Sequence, residues 1–289
     1  MSAAFGARLA AAMDDHGPLC VGIDPHAELL ADWGLPDDAT GLRDFGLRVV
    51  EAVGGRVAAV KPQSAFFERH GSRGVAALED VVAAARAAGT LVVMDAKRGD
   101  IGSTMAAYAD AYLRDGSPLA ADALTVSPYL GFGSLQPAVD LALGSGRGLF
   151  VLCLTSNKEG HEVQHARRGA GADVETVAAQ IAREAALLNA PAVAAGDALG
   201  SIGLVVGATV GDAAARTGSD LAAVHGPLLA PGVGAQGAGA AELAAVFGAA
   251  RSQVLASSSR GVLRAGPDVA ALRASARAAS DEATAALRG

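Results

Sequence analysis

Cysteine contributes almost nothing to this chain. Its two cysteines, Cys20 and Cys153, lie far apart inside apolar runs, where a thiol behaves as a small hydrophobe. No disulfide is expected, and a reducing, cytoplasmic setting follows. Positive charge is also in deficit: 23 Lys and Arg stand against 30 Asp and Glu, a net charge of −7. Aromatic residues amount to 4%, and no stripe interleaves them with basic side chains, so a nucleic-acid surface is not expected. Hydrophobic residues reach 51%, enough for a substantial core. Much of that fraction is alanine, and no apolar run attains the ~18 residues of a membrane span. The opening segment, Met1 to Asp15, lacks a basic stretch and runs into two acids. It reads as a short amphipathic helix and not as a secretory signal.

What is present is an alternation. Short β-branched or apolar runs recur at 18–24, 56–61, 90–95, 122–127, 148–154, 202–207, 227–230 and 253–257. Each is followed by a Gly/Pro turn and an Ala/Leu-rich stretch with helical composition. Those stretches lie near 40–54, 73–88, 102–114, 134–143, 172–189, 210–217, 239–248 and 267–287. Eight strand–helix units without an intervening linker predict a (β/α)8 TIM barrel. It spans 1–289 as a single domain, with a short helix before the first strand. In such a barrel the C-terminal strand ends share one face. Asp24, Lys61, Asp95, Lys97, Ser127, Ser156 and Arg260 all fall there.

The most informative run is Asp95-Ala-Lys97-Arg-Gly-Asp100-Ile101. It follows Thr90-Leu-Val-Val-Met, which reads as a buried strand. Residues two apart in a strand share a side, so Asp95 and Lys97 should project together. Asp100 follows where Gly99 turns the chain into a helix. Two carboxylates would then bracket one ammonium at the rim of an apolar element, an expensive arrangement unless the charges are paired or have a task. Lys61 ends the second strand in the same manner, and Asp24 ends the first.

Other patterns carry duller readings beside the chemical ones. Gly232-Val-Gly234-Ala-Gln236-Gly237 matches the G-x-G-x-x-G pattern of dinucleotide sites. Such sites need an acid ~20 residues downstream, whereas this chain has Arg260-Gly261 in that region. A phosphate site in the last two barrel loops fits better, with Arg260 as a charged fork. His161-Glu162-Val-Gln-His165 spells the H-E-x-x-H of zinc proteases, but its surroundings suggest a loop with at most one helical turn and no third ligand. No metal or other cofactor is expected. His16, His26, His70 and His225 read as surface or loop residues. No nucleophile elbow occurs. An imine-forming Lys97 or Lys61 stays open, although flanking carboxylates favour an ammonium that donates a proton.

Taken in order, these segments resemble a known family. Asp95-Ala-Lys97-Arg-Gly-Asp100-Ile101-Gly-Ser-Thr104 is similar to the D-x-K-x-x-D-I-x-x-T signature of orotidine 5′-phosphate decarboxylases. Val21-Gly-Ile-Asp24-Pro25, Lys61-Pro-Gln-Ser-Ala-Phe-Phe-Glu68 and Val126-Ser-Pro-Tyr-Leu-Gly131 resemble further blocks of that family. So do Leu154-Thr-Ser156-Asn157 and Pro231-Gly-Val-Gly-Ala-Gln236-Gly. The likeness runs over about residues 5 to 265 and is nearest the branch common in mycobacteria and related bacteria.

The resemblance implies a cofactor-independent conversion of orotidine 5′-phosphate to UMP, with Lys61, Asp95, Lys97 and Asp100 as an alternating charge network. It implies that Asp24 and Lys61 bind ribose hydroxyls and that Ser156 reads the pyrimidine. Gln236 and Arg260, with backbone near Gly234 and Gly261, would hold the phosphate. Asp100, Ile101 and Thr104 would reach the neighbouring site of a homodimer. Two rivals remain: a Mg²⁺-dependent sugar-phosphate decarboxylase or aldolase of the same suprafamily, whose members typically carry Glu where Lys61 stands, and a catalytically silent nucleotide-binding barrel.

Overall fold

The computed structural model describes residues 3–171, 174–233 and 238–289. Eight parallel strands close into a barrel in which every strand pairs with its sequence neighbours, the last returning to the first. They are β1 (Leu19–Ile23), β2 (Ala59–Pro62), β3 (Leu91–Arg98), β4 (Ala123–Val126), β5 (Gly148–Leu154), β6 (Ile202–Val206), β7 (Leu228–Pro231) and β8 (Val254–Ser258). All eight fall where the apolar runs place them, so the expected (β/α)8 architecture is the observed one. Parallel strands bonded on both sides and covered by helices must be apolar on both faces. β1, β2, β4, β6 and β8 are buried throughout.

Alternation along the strands separates two inward layers. Cys20, Ala59, Val93, Ala123, Phe150, Leu229 and Leu255 point into the lower barrel and form one apolar cluster. The helix Phe5–His16 completes this cluster from below through Phe5, Leu9 and Met13. Phe5 meets Phe150 edge-on at 6.0 Å. A Cβ on Gly148 would come within 2.1 Å of the Phe5 ring, so glycine there is a packing requirement. Burial pushes the Cys20 and Cys153 thiols up to about 12, which makes both inert core groups. One register step higher, the same inward files carry Lys61, Asp95 and Thr125. The barrel is greasy at its floor and charged at its mouth.

Two features depart from the sequence-based expectation. β3 runs three residues beyond Asp95, because it contains a bulge between Met94 and Arg98 in its pairing with β4. The helix expected over 172–189 is Val177–Ala194, its start fixed by the Thr176 hydroxyl accepting from Ala179 N at 3.1 Å. A two-residue antiparallel pairing, Arg167–Arg168 with Glu175–Thr176, precedes that helix.

Asn189 fastens the same helix to the barrel. It is 1% exposed, donates to Ile202 O (2.8 Å) and Val224 O (2.9 Å), and accepts from Ile202 N (3.0 Å). Asn189→Ala strands three buried backbone groups, each costing roughly 1–3 kcal/mol. Denaturant unfolding should show a loss of about 3 kcal/mol or more. A loss below about 0.5 kcal/mol would contradict the role given to this side chain.

Candidate active site

A cavity of about 890 Å³ opens among the C-terminal strand ends. Asp24, Lys61, Asp95, Lys97, Ser127, Ser156 and Arg260 all line it, which is where barrel topology and sequence together put them. Its centre is the carboxylate of Asp95. Oδ2 accepts from Lys61 Nζ at 2.7 Å, and Oδ1 accepts from Lys97 Nζ at 2.6 Å and from Thr125 Oγ1 at 3.0 Å. The Gln63 amide nitrogen, oriented to satisfy its surroundings, donates to the Asp95 carbonyl at 2.5 Å and to Oδ2 at 3.2 Å. Every lone-pair direction of this carboxylate has a donor.

The two ammonium groups differ in setting. The side chains of Lys61 and Asp95 are each 8% exposed, whereas Lys97 is 44% exposed to the open cavity. Burial works against charge on Lys61, but the Asp95 and Asp24 carboxylates outweigh it and hold its pKa above the ordinary lysine value. Burial likewise raises Asp95, and Lys61 and Lys97 reverse that effect, leaving its pKa at about 2. Asp24 Oδ1 is buried without a hydrogen-bond partner among the described residues. Asp24 itself lines the cavity, so this buried carboxylate oxygen lies next to it.

Lys97 does not reach Asp95 by plain strand alternation. Its φ is +46°, the left-handed region that non-glycine residues adopt at a cost of roughly 1–3 kcal/mol. The Thr125 hydroxyl meets this bulge directly, accepting from Ala96 N (3.1 Å) and Lys97 N (2.9 Å) while donating to Asp95. Gly99 follows, where a Cβ would lie 2.4 Å from the Ser127 carbonyl.

The expected bracketing of Lys97 by two carboxylates of one chain does not occur. Asp100 Oδ1 instead accepts from Ile101 N at 2.8 Å, and its carboxylate forms no ion pair among the described residues. The bulge and turn carry it away from its own strand end. Ile101 is 62% exposed, Thr104 is exposed, and neither Asp100, Ile101 nor Thr104 lines the cavity. Ser156 is exposed at the cavity wall. Arg260 opens the short helix Arg260–Leu263 at the mouth, while Gly261 does not line the cavity. Gly234 and Gln236 lie outside the described residues.

The H-E-x-x-H run forms the single-turn helix Gly160–Gln164. The His161 and His165 ring centroids are 6.4 Å apart, and no cluster of three or more metal-ligating side chains occurs among the described residues. The sequence does not single out Thr125 or Gln63, and it makes His26 a surface or loop residue. His26 lines the cavity and packs on Phe66 at 4.2 Å, so it is a wall residue and not merely a loop residue. Inward parity was the signal for Thr125, which sits on β4 at the level of Asp95 on β3.

Stability should depend on pH at both extremes. Asp95 titrates lower in the folded chain than its ordinary 3.8. Its stabilisation is present above that value and is lost as pH falls from about 4 towards 2. Lys61 is raised above its ordinary 10.5. Its contribution is complete below that pH and is lost as pH rises through the folded value. Thermal unfolding of Asp95→Asn should show a flattened acid limb and lower stability at neutral pH. An acid limb identical to that of the parent would refute the assignment.

Comparison with known proteins gives the family. The family model described as Orotidine 5′-phosphate decarboxylase / HUMPS family matches residues 17–275. The orotidine 5′-phosphate decarboxylase of Streptomyces coelicolor is 64% identical over 273 residues, covering 94% of each chain. That of Salinispora arenicola is 61% identical over 285 residues, 99% of each. Among solved structures, a Streptomyces avermitilis protein provisionally given the same name is 63% identical, with a TM-score of 0.92 over 100% of this chain and 97% of that one. Leishmania donovani OMP decarboxylase is 35% identical, with a TM-score of 0.75 over 99% and 100%. A match over most of the chain, relatives above 60% identity and a charged strand-end network point one way: this chain belongs to the orotidine 5′-phosphate decarboxylase / HUMPS family.

Proposed function

We propose that this barrel, working as one domain, decarboxylates orotidine 5′-phosphate to UMP and CO2 in pyrimidine synthesis, without a cofactor. The observation that carries the reading is the Lys61–Asp95–Lys97 network at the cavity wall. Loss of CO2 from C6 leaves an electron pair that the pyrimidine ring does not delocalise as an enolate would. Fixed charge must therefore meet it. Lys97, the more exposed ammonium, approaches the developing carbanion, and one of its protons passes to C6 as the C–C bond to the carboxylate breaks. Asp95 stays ionised, held by Lys61 on one oxygen and Lys97 on the other. A substrate carboxylate pressed beside it is repelled, and that repulsion is relieved as CO2 departs.

One such contact is far too small alone. Unit charges ~4 Å apart interact by ~4 kcal/mol at an effective dielectric of 20, against the ~8–23 kcal/mol that enzymes remove from barriers. Binding of the remote parts of the substrate must supply the remainder. Asp24, with its unpartnered oxygen, and Lys61 take the ribose hydroxyls. Ser156 reads the pyrimidine edge. Arg260 and Gln236, with backbone near Gly234 and Gly261, take the phosphate. Asp100, Ile101 and Thr104 complete the site of a second subunit in a homodimer; their turn away from this chain's own cavity supports that role. The setting is cytoplasmic. No helix among the described residues is long and apolar enough to cross a membrane.

The Mg²⁺-dependent reading is disfavoured by Lys61, whose ammonium already occupies one oxygen of Asp95. A direct test follows the ultraviolet change of orotidine 5′-phosphate with EDTA-treated protein. Full turnover is expected; activity that returns only with added Mg²⁺ would favour the suprafamily rival, and tight UMP binding without turnover the silent barrel. Lys97→Ala should lower kcat by a factor on the order of 10⁴ or more while leaving a folded barrel that binds UMP. Retained turnover would remove Lys97 from the chemistry. Arg260→Ala should raise the UMP dissociation constant by roughly tenfold or more yet change uridine binding little, and equal effects on both would displace the phosphate from this residue.

A further inference from the structure

Arg98 is the one charged residue of the signature to which the chemistry above gives no task. We propose that Arg98 is a positioning residue that holds the bulged end of β3 so that Lys97 presents its ammonium beside Asp95; this rests on the role given to Lys97.

The bulge needs holding from two sides. Lys97 sits at φ +46°, a conformation lysine rarely adopts unaided. From inside the barrel, Thr125 takes the two amides at the bulge. From outside, the Arg98 side chain turns the opposite way and locks into a polar and aromatic clamp. Its Nη2 donates to the Tyr112 hydroxyl at 3.1 Å and pairs with Glu68. Its guanidinium lies 5.4 Å from the Tyr108 ring centre and 5.7 Å from that of Tyr112. The Glu68 carboxylate also accepts from the Ser64 hydroxyl. Only 26% of the Arg98 side chain is exposed.

The clamp joins three elements: β3 and two helices that begin next to site residues. β3 bears Asp95 and Lys97. The helix Ser64–Glu68 begins directly after Gln63, whose amide rests on Asp95, and three residues after Lys61. The helix Gly102–Leu113 bears Tyr108 and Tyr112, and Asp100 and Ile101 stand at its start. Arg98 therefore ties the strand end that bears Asp95 and Lys97 to the helix that follows Asp100 and Ile101. Arginine is needed because one guanidinium nitrogen, Nη2, meets both Tyr112 and Glu68 while the planar, delocalised group lies against the Tyr108 and Tyr112 rings, a stacking that the point charge of lysine does not reproduce.

A plain structural staple would change stability alone; a positioning residue changes how Lys97 is held. Lys61, Lys97 and Lys158 are the lysines of the chain, so amine acylation read by peptide mass spectrometry resolves each one, with exposed Lys158 as the internal reference. In Arg98→Met, Lys97 should acylate several-fold faster relative to Lys158, because its ammonium is no longer tied to Asp95. Turnover per UMP-binding site should fall by about tenfold to a hundredfold, with the UMP dissociation constant within about twofold of the parent. Arg98→Lys should restore little of either property. If Arg98→Met does not fold, Glu68→Gln and Tyr112→Phe each remove one arm of the clamp and should shift Lys97 acylation in the same direction. Unchanged relative acylation of Lys97 in folded Arg98→Met, or in both single-arm variants, overturns the proposal. A parent protein without turnover would overturn the decarboxylase reading instead, and the acylation ratio would still decide the role of Arg98.

Discussion

One carboxylate shared between two ammonium groups, 2.7 Å and 2.6 Å away, sets the terms for the rest of the molecule. The triad carries a net positive charge inside a barrel wall. Removing the shared carboxylate leaves the buried Lys61 ammonium without its hydrogen-bonded counter-charge, at a cost of about 3–5 kcal/mol. The fold meets that demand with rigidity. Three adjacent strands each deliver one inward member, Lys61, Asp95 and Thr125, directly above an apolar layer formed by Ala59, Val93 and Ala123. Small residues in that lower layer leave room for Phe150 and Phe5, so the floor stays dry while the mouth stays charged. A closed, fully hydrogen-bonded sheet holds such a constellation better than loops would.

Most of the architecture was legible before any coordinate. Eight apolar runs at regular intervals, each followed by an alanine-rich stretch, leave little room for another fold. Strand ends were legible too, since Lys61 and Asp95 are charges stranded at the ends of apolar runs. What was not legible was the path of the chain just beyond. Strand periodicity predicts that Asp95 and Lys97 share a side, and they do meet, but through a left-handed residue inserted at a bulge. No local sequence feature marks that conformation, because lysine has no preference for it. The surrounding hydrogen bonds impose it.

The same limit explains the misplacement of Asp100. Its spacing from Lys97 suggests a second local carboxylate, whereas the bulge rotates the following segment away and Asp100 turns to its own helix start. Thr125 illustrates the opposite case. A threonine in a buried strand is usually a tolerated β-branched residue, so its type says little; its inward register at the level of Asp95 says nearly everything. The H-E-x-x-H run shows how weak a short pattern is without its context, since here it occupies one exposed turn.

The helix Phe5–His16 closes the barrel from below with side chains that are fully or almost fully buried. Among the described residues, a vessel sealed at its base opens at the strand ends. Whatever enters between the strand ends must leave by the same route, so departing gas and departing nucleotide share a single exit. The nucleotide, being the larger, obstructs that exit until it goes. Entry and departure therefore use one end of the barrel, and its floor takes no part in either.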